Sequence, residues 1–427
     1  MDNELKETEN SMRTLGRLAA SLKEQVSQAA LSFRQCLSLD SGVMLLISKT
    51  KEAVSEIREL DGILTEISRT SDMTSRQLKQ LGMEAYDTAS RYGRTAGDYL
   101  LTVQEMARSG FYGEKGAAMA EQSLLARSAG NMDGELANNY ILATNAAYQL
   151  NGEAGKLNAI LDGLNSITSR NSVAMADMAA AMTEAGAVAS GYRVSVEELS
   201  AMIGTIGSVT ELDGSEVGTA VKTILGNLQD VSSDKITDTL NAANISMTEM
   251  VNGAEKLRNP IDILRELAAA FSQLDENAPL RTEILTNIGQ GTQAENLGAL
   301  LENMDMFDKM LVDYSQGAGS ALAASNENAE NLSGSLNRLS NSWTELVNSF
   351  ATSDTLKTGV NVLNSLVQGA TKLTDVLTPL GVIGAGAGLN ASFKKGGGLI
   401  RLINIINNSP FLATVEFNSD VYDFYIL

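Results

Sequence analysis

Gly214-Ser215-Glu216-Val217-Gly218-Thr219 is glycine-rich at a helix start, where unpaired backbone N–H groups can hold a phosphate. The segment lacks the Gly-Lys-Ser/Thr ending of a P-loop and follows no convincing strand, so it reads as a turn connecting two helices. Lys394-Lys395-Gly396-Gly397-Gly398 reads as a flexible linker. Chemistry that needs imidazole is closed to this chain. With no histidine among 427 residues, Ser-His-Asp and Cys-His nucleophilic arrangements and His-containing zinc sites are excluded. Cys36 is the only cysteine, so no intrachain disulfide and no cysteine-rich metal site can form. A buried helical face is the expected place for it, with a reactive thiol as the alternative. Carboxylate chemistry survives this test, yet Asp and Glu stand singly on polar helix faces, and no paired-carboxylate site can be picked out. The reading is therefore a non-enzyme with no catalytic residue, metal or cofactor.

The elements that must position these residues are clearest between Met175 and Gln229. Met175, Met178 and Met182 recur at helical spacing among small residues, a face that admits another helix at close range. A Gly-x-x-x-Ser turn is expected at Gly186–Ser190. Ser195 followed by Glu198 is a capping-box pattern, and Leu199, Met202, Ile203, Ile206 and Val209 form the apolar stripe of the helix it starts. Asp213-Gly214-Ser215 breaks that pattern, and helical spacing resumes through Val217, Val221, Ile224, Leu225 and Leu228.

This order of pieces resembles the conserved region of phage tail tape measure proteins, the internal rulers of long-tailed phages. Upstream, Tyr92-Gly93-Arg94-Thr95-Ala96 and Ala107-Arg108-Ser109-Gly110-Phe111 are similar to the early elements of that family. Downstream, Ile288-Gly289-Gln290 and Glu295-Asn296-Leu297-Gly298-Ala299-Leu300-Leu301-Glu302-Asn303 are similar to its closing element, and Gly317-Ala318-Gly319-Ser320-Ala321 follows. The resemblance covers roughly residues 70 to 380. It departs at Glu211-Leu212-Asp213, where a small apolar pair is commoner, and at Lys222, where Arg is common. Gly186, Gly191, Gly214, Ser215, Gly218, Thr219 and Gly289 stand at the family-like turns.

Composition sets limits of its own. A single core usually stops growing at about 250 to 300 residues, so 427 residues predict several helical layers or an elongated arrangement. At 44% hydrophobic and 20% charged, the chain is too apolar for disorder along most of its length. Scarce aromatics and abundant Ala, Leu, Met, Glu and Gln favour helix over sheet. The net charge of −20, from 32 basic against 52 acidic residues, argues against specific nucleic-acid binding, which gains affinity from Lys and Arg. Such an excess suits a solvated helical surface, or complements a basic assembly partner. MDNELKETENS is acidic and polar where a signal peptide needs a basic start and an apolar core, so synthesis in a host cytoplasm is expected.

The fold class these features predict is mainly α, an elongated multi-helix assembly with helical hairpins and coiled-coil-like segments. Residues 1–70 carry two helical stripes, Met12 to Phe33 and Val54 to Ile67, and read as a hairpin or a coiled-coil arm. Residues 71–320 form the family-like helical region, within which Asn259-Pro260 is an N-cap with proline at the first helical position. Residues 321–377 carry heptad helices. There Leu332, Leu336, Leu339, Trp343, Leu346 and Phe350 alternate in steps of four and three, the spacing of a coiled-coil seam. Packing within the chain and self-association both fit that seam. A second stripe runs through Leu363, Val367, Ala370, Leu373 and Leu377.

Residues 378–395 make a hydrophobic, Gly-rich segment. Val376 to Phe393 carries no charge and approaches bilayer-spanning length, with Gly384-x-x-x-Gly388 spacing for helix contact. Pro379 and its glycines also suit a loop or a loosely packed buried helix. Residues 396–427 are atypical: aromatics become dense and β-like runs replace helical periodicity. Because the family continues for hundreds of residues through a helical ruler, the resemblance implies a truncated or replaced end.

The function implied is a structural protein of the phage tail that sets tail length during assembly and assists DNA passage into the host. Implied partners are copies of itself, the tail tube protein and tail assembly chaperones, with host-membrane contact on infection. Its places would be the virion tail and, during assembly, the bacterial cytoplasm. The alternative is a secreted helical effector or pore-forming protein that inserts Val376–Phe393. A fused cell-wall-degrading enzyme is a third class, without a visible domain.

Overall fold

The computed structural model describes residues 39–210, 212–351, 415–417 and 424–426. Sixteen α-helices dominate these residues, in agreement with the mainly α expectation. By its contacts the chain divides into two units, Ile63–Gly334 and Met1–Gly62 with Ser335–Leu427.

In order the helices are α1 (Leu39–Thr70), α2 (Ser75–Arg91), α3 (Ala96–Arg108), α4 (Gly113–Ala129), α5 (Gly134–Ala147) and α6 (Ala154–Thr168). Then come α7 (Met175–Gly191), α8 (Val196–Val209), α9 (Gly214–Asn227) and α10 (Asp234–Ala242). A hairpin of β1 (Thr248–Val251) and β2 (Ala254–Leu257) leads to α11 (Pro260–Ser272), the short α12 (Pro279–Glu283), a π turn and α13 (Ala294–Glu302). The unit closes with α14 (Met304–Ser315) and α15 (Ser320–Ala329), and α16 (Leu332–Ala351) follows.

Two helices form the centre of the larger unit. In α6 every residue from Leu161 to Ile167 is buried, and in α8 every residue from Leu199 to Ile206 is. A helix buried on all sides must satisfy its polar residues with specific partners, and α6 does so through Asp162 and Ser166. Helices α4, α8, α14 and α15 pack around α6, while α7 packs on α5 and α9. Leu199, Met202, Ile203 and Ile206 lie in the core as the stripe predicts, and Val209 at its end is 39% exposed.

Local signals fix where helices start. Capping boxes open α2 at Thr74 and Gln77, α3 at Thr95 and Asp98, α8 at Ser195 and Glu198, and α9 at Asp213 and Glu216. The box read from the sequence at Ser195 is one of these. Asn259 caps α11 with Pro260 in its first turn, also as read.

Helix ends reuse one corner. Arg94, Phe111, Leu150, Val194 and Ile245 each donate a backbone N–H to a carbonyl five residues back, at 2.8 to 3.0 Å. The residue before each is left-handed: Gly93, Gly110, Gln149, Arg193 and Asn244. This is the Schellman arrangement, in which backbone bonds satisfy the last carbonyls. Tyr92–Thr95 and Tyr192–Ser195 repeat it with an N-cap at the same offset.

In the other unit, Thr344 Oγ1 of α16 donates to Glu56 of α1 at 2.9 Å. The aromatic-rich end contributes β3 (Val415–Phe417) and β4 (Phe424–Ile426), paired antiparallel with Val415 opposite Ile426. The stripes Met12–Phe33 and Leu363–Leu377 and the segment Val376–Phe393, with Gly384 and Gly388, lie outside the described residues. Among those described, no helix is long and apolar enough to cross a membrane.

Candidate functional site

The stretch from Met175 to Asn227 folds into three helices whose contacts depend on small residues. Gly214 and Gly218 lie one turn apart on α9 and face Asp177 and Ala181, one turn apart on α7. A Cβ on Gly214 would lie 2.2 Å from the Asp177 carbonyl oxygen, and one on Gly218 would lie 2.7 Å from that of Ala181. The two helices therefore meet backbone to backbone. One turn further, Lys222 pairs with Glu184 at 2.9 Å. That pair is about half exposed and adds little stability beside the apolar contacts.

At the start of α9 carboxylates take the place a phosphate would need. Gly214 N–H donates to Asp177 Oδ1 at 3.3 Å, and Glu216 N–H donates to Asp213 at 2.9 Å. Two carboxylates at this helix start repel an anion.

The structure separates the glycines read as turns. Gly214 and Ser215 are the first residues of α9, and Gly289 ends the π turn. Gly186 is inside α7, facing the Ala147 side chain at 3.6 Å, and Gly191 is the last residue of that helix. Gly218 and Thr219 lie inside α9. These are corrections to the turn reading: alanine-rich flanks carry the helix through Gly186, and Gly218 is kept small by Ala181. The chain turns instead at Tyr192-Arg193-Val194, where Arg193 adopts φ 64°.

Between α7, α8 and α9 lies a cleft of about 220 Å³ lined by Val173, Asp177, Ile203, Thr210, Leu212 and Val217. Its lining mixes apolar side chains with the polar groups of Ser172, Asp177 and Thr210. A second groove of about 510 Å³ is lined by Ser109, Phe111, Leu142, Asn145, Gln149 and Asn151. No cluster of three or more metal-ligating side chains occurs among the described residues.

Two buried carboxylates that sequence reasoning does not single out tie the end of this unit to its centre. Asp313 of α14 accepts from Arg170 at 2.9 Å, Asn171 at 3.1 Å and Lys309 at 3.2 Å. Burial alone would raise its pKa, but these donors outweigh burial and hold it below the usual carboxylate value. Asp162 of α6 accepts N–H bonds from Gly319 at 2.8 Å and Ala321 at 3.0 Å, and so caps α15 from 157 residues away. Beside them sit Tyr140, Tyr148 and Tyr314, whose phenols are all raised above the ordinary value, chiefly by burial.

Of the heptad positions, Leu332, Leu336, Leu339, Trp343, Leu346 and Phe350 all fall on the one helix α16. Leu336 is 41% exposed.

The family of phage-related minor tail proteins matches residues 76–289, half of the chain. This chain belongs to that family. The matched stretch begins in α2 and ends at Gly289, so it contains the α7–α8–α9 contact and stops before the closing helices α13 to α15. Membership in a family of minor tail proteins supports a structural, non-enzymatic role in the virion tail, in contact with other tail components. No solved structure matches the chain.

Proposed function

We propose that this minor tail protein is the tape measure of its phage tail. The observation that carries this reading is the order of elements within and just beyond the family-matched stretch. The sequence elements at Tyr92–Ala96, Met175–Gln229 and Ile288–Asn303 follow one another in an order that resembles tape measure proteins, and the first two lie within the matched stretch. Copies of the chain then lie along the tail axis, tube subunits polymerise around them, and assembly chaperones hold them beforehand. At infection they leave the tail and assist DNA across the host envelope. A tail-family match favours this reading over a secreted, membrane-active effector.

The test is tail length. In the phage that carries this gene, in-frame deletions and duplications should shorten and lengthen the tail, by at most about 1.5 Å per residue where the chain is helical. Tails of constant length across the series, seen by electron microscopy, would remove the ruler function and leave a minor structural component.

Self-association belongs to the same reading, and the α16 heptad is its seam. Leu339→Asp places a charge on that seam and should lower the mass of the purified chain in light scattering. An unchanged mass would assign the seam to packing within one chain.

A further inference from the structure

The buried face of α15 consists of Ala321, Ser325 and Ala329, while its one large apolar side chain, Leu322, is 48% exposed. Three small side chains remove little apolar surface from water compared with Met178, Met182, Ile203 and Ile206 around α8. The Ser325 hydroxyl is buried without a hydrogen-bond partner, which costs further free energy. What holds α15 is polar. Asp162, 5% exposed, accepts the Gly319 and Ala321 N–H groups at 2.8 and 3.0 Å, and its carbonyl accepts the Ser320 hydroxyl at 2.8 Å. At the far end, Asn328 Nδ2 donates to the Ser128 carbonyl at 2.8 Å, and Ser128 Oγ donates to the Ser325 carbonyl at 3.3 Å. Gly317 fits so tightly that a Cβ there would lie 2.4 Å from the Asp162 carbonyl oxygen.

We propose that α15 is a detachable clasp, which opens from α4 and α6 as a local unit while α7, α8 and α9 stay folded, with the Asp162 carboxylate as its lock. Segments that bury few apolar side chains open at a small fraction of the global unfolding free energy. Water can replace the N–H groups that Asp162 loses when α15 leaves, whereas nothing in water replaces the apolar contacts of α8. Opening uncovers the surfaces of α4 and α6 around Ser128 and Asp162, a region the resting fold keeps closed to other proteins. The clasp does not depend on the tape measure reading, because it follows from the contacts of α15 alone.

Native-state hydrogen exchange of the full chain tests it, comparing peptides that cover residues 319–331 with peptides that cover residues 175–227. In the wild type the first set should exchange through local opening at least about a hundredfold faster than the second. Asp162→Asn should speed the first set by roughly ten- to a hundredfold more and leave the second unchanged, since it weakens the charge-assisted bonds from Gly319 and Ala321, while the other bond to this carboxylate comes from Asn158 inside α6. Gly317→Ala should do the same by steric displacement with the charge intact. Equal protection of both sets in the wild type would overturn the clasp, as would acceleration of both sets together in the variants. Should Asp162→Asn fail to fold, Ser320→Ala removes a single bond and gives the same comparison with a smaller acceleration.

Discussion

Gly214 and Asp177 touch through their backbones: a methyl group on Gly214 would lie 2.2 Å from the Asp177 carbonyl oxygen. No rotamer change can relieve that overlap, because the obstacle is main chain. Gly214→Ala should therefore destabilise the fold by about 1–3 kcal/mol through forced separation of α9 from α7. Gly226, on the same helix, has no atom from beyond its own stretch of helix backbone within 4 Å of the place its methyl group would take. Gly226→Ala should stabilise by roughly 0.5–1 kcal/mol, since alanine loses less conformational freedom in a helix. Denaturant melts of the two variants should move in opposite directions; shifts of the same sign would mean the contact does not set the helix spacing.

Asp313 gives the fold an acid limit. Its folded pKa is held below the ordinary 3.8, so the unfolded chain takes up this proton first as pH falls. The stabilisation is fully present above about pH 4 and is lost as pH drops through the folded value. Asp313→Asn should cost about 1–3 kcal/mol at neutral pH, and flatten the loss of stability below about pH 4. Thermal melts from pH 3 to pH 7 check both; an unchanged acid slope in the variant would assign acid sensitivity to other carboxylates.

Tyr140, Tyr148 and Tyr314 set a limit at the other end of the scale. Burial raises all three, and Tyr148 and Tyr314 also face Glu197. Their folded pKa values exceed the unfolded value of about 10, so stability is complete below that pH and falls as pH rises past it. Tyrosinate absorbance from these residues should appear only together with loss of helical circular dichroism. Tyr314→Phe should make the alkaline branch shallower by about one proton. Ionisation of all tyrosines ahead of unfolding would contradict the burial on which the argument rests.

The β1–β2 hairpin turns at Asn252-Gly253, both left-handed, with φ of 53° and 79°. Replacing Gly253 by Val puts a β-branched residue where L side chains are strained, and should cost roughly 1–3 kcal/mol, confined to hydrogen exchange of residues 246–258. Met250, 70% exposed, should tolerate Thr within about 0.5 kcal/mol. Exchange that spreads into α10 and α11 would show that the hairpin supports its neighbours.

What the sequence discloses and what it hides follow from the range of the interactions. The Ser195 and Glu198 box and the Asn259-Pro260 start involve partners within three residues, and both are legible. Asn252-Gly253 carries an equally local hairpin signal, but it stands inside a long helical run that masks it. Gly186 and Gly218 read as turns and prove to be helical, because glycine spacing reports the need for smallness without saying whether a bend or another helix imposes it. Asp162 and Asp313 are illegible as functional positions. Each resembles any other acidic residue until partners some 150 residues away are brought beside it.

The burial of α6 also orders events in time. Its covering helices come from both directions along the chain, and α15 follows the Asp162 it covers by 157 residues. At about 5–20 residues per second, a ribosome needs on the order of ten seconds or more to deliver that last piece. Throughout the interval, a nascent chain carries its central helix with one flank bare and its Asp162 carboxylate uncapped. The unit is completed only after its family-matched part has been made, and during that wait the growing polypeptide offers other proteins a surface that the finished one withdraws.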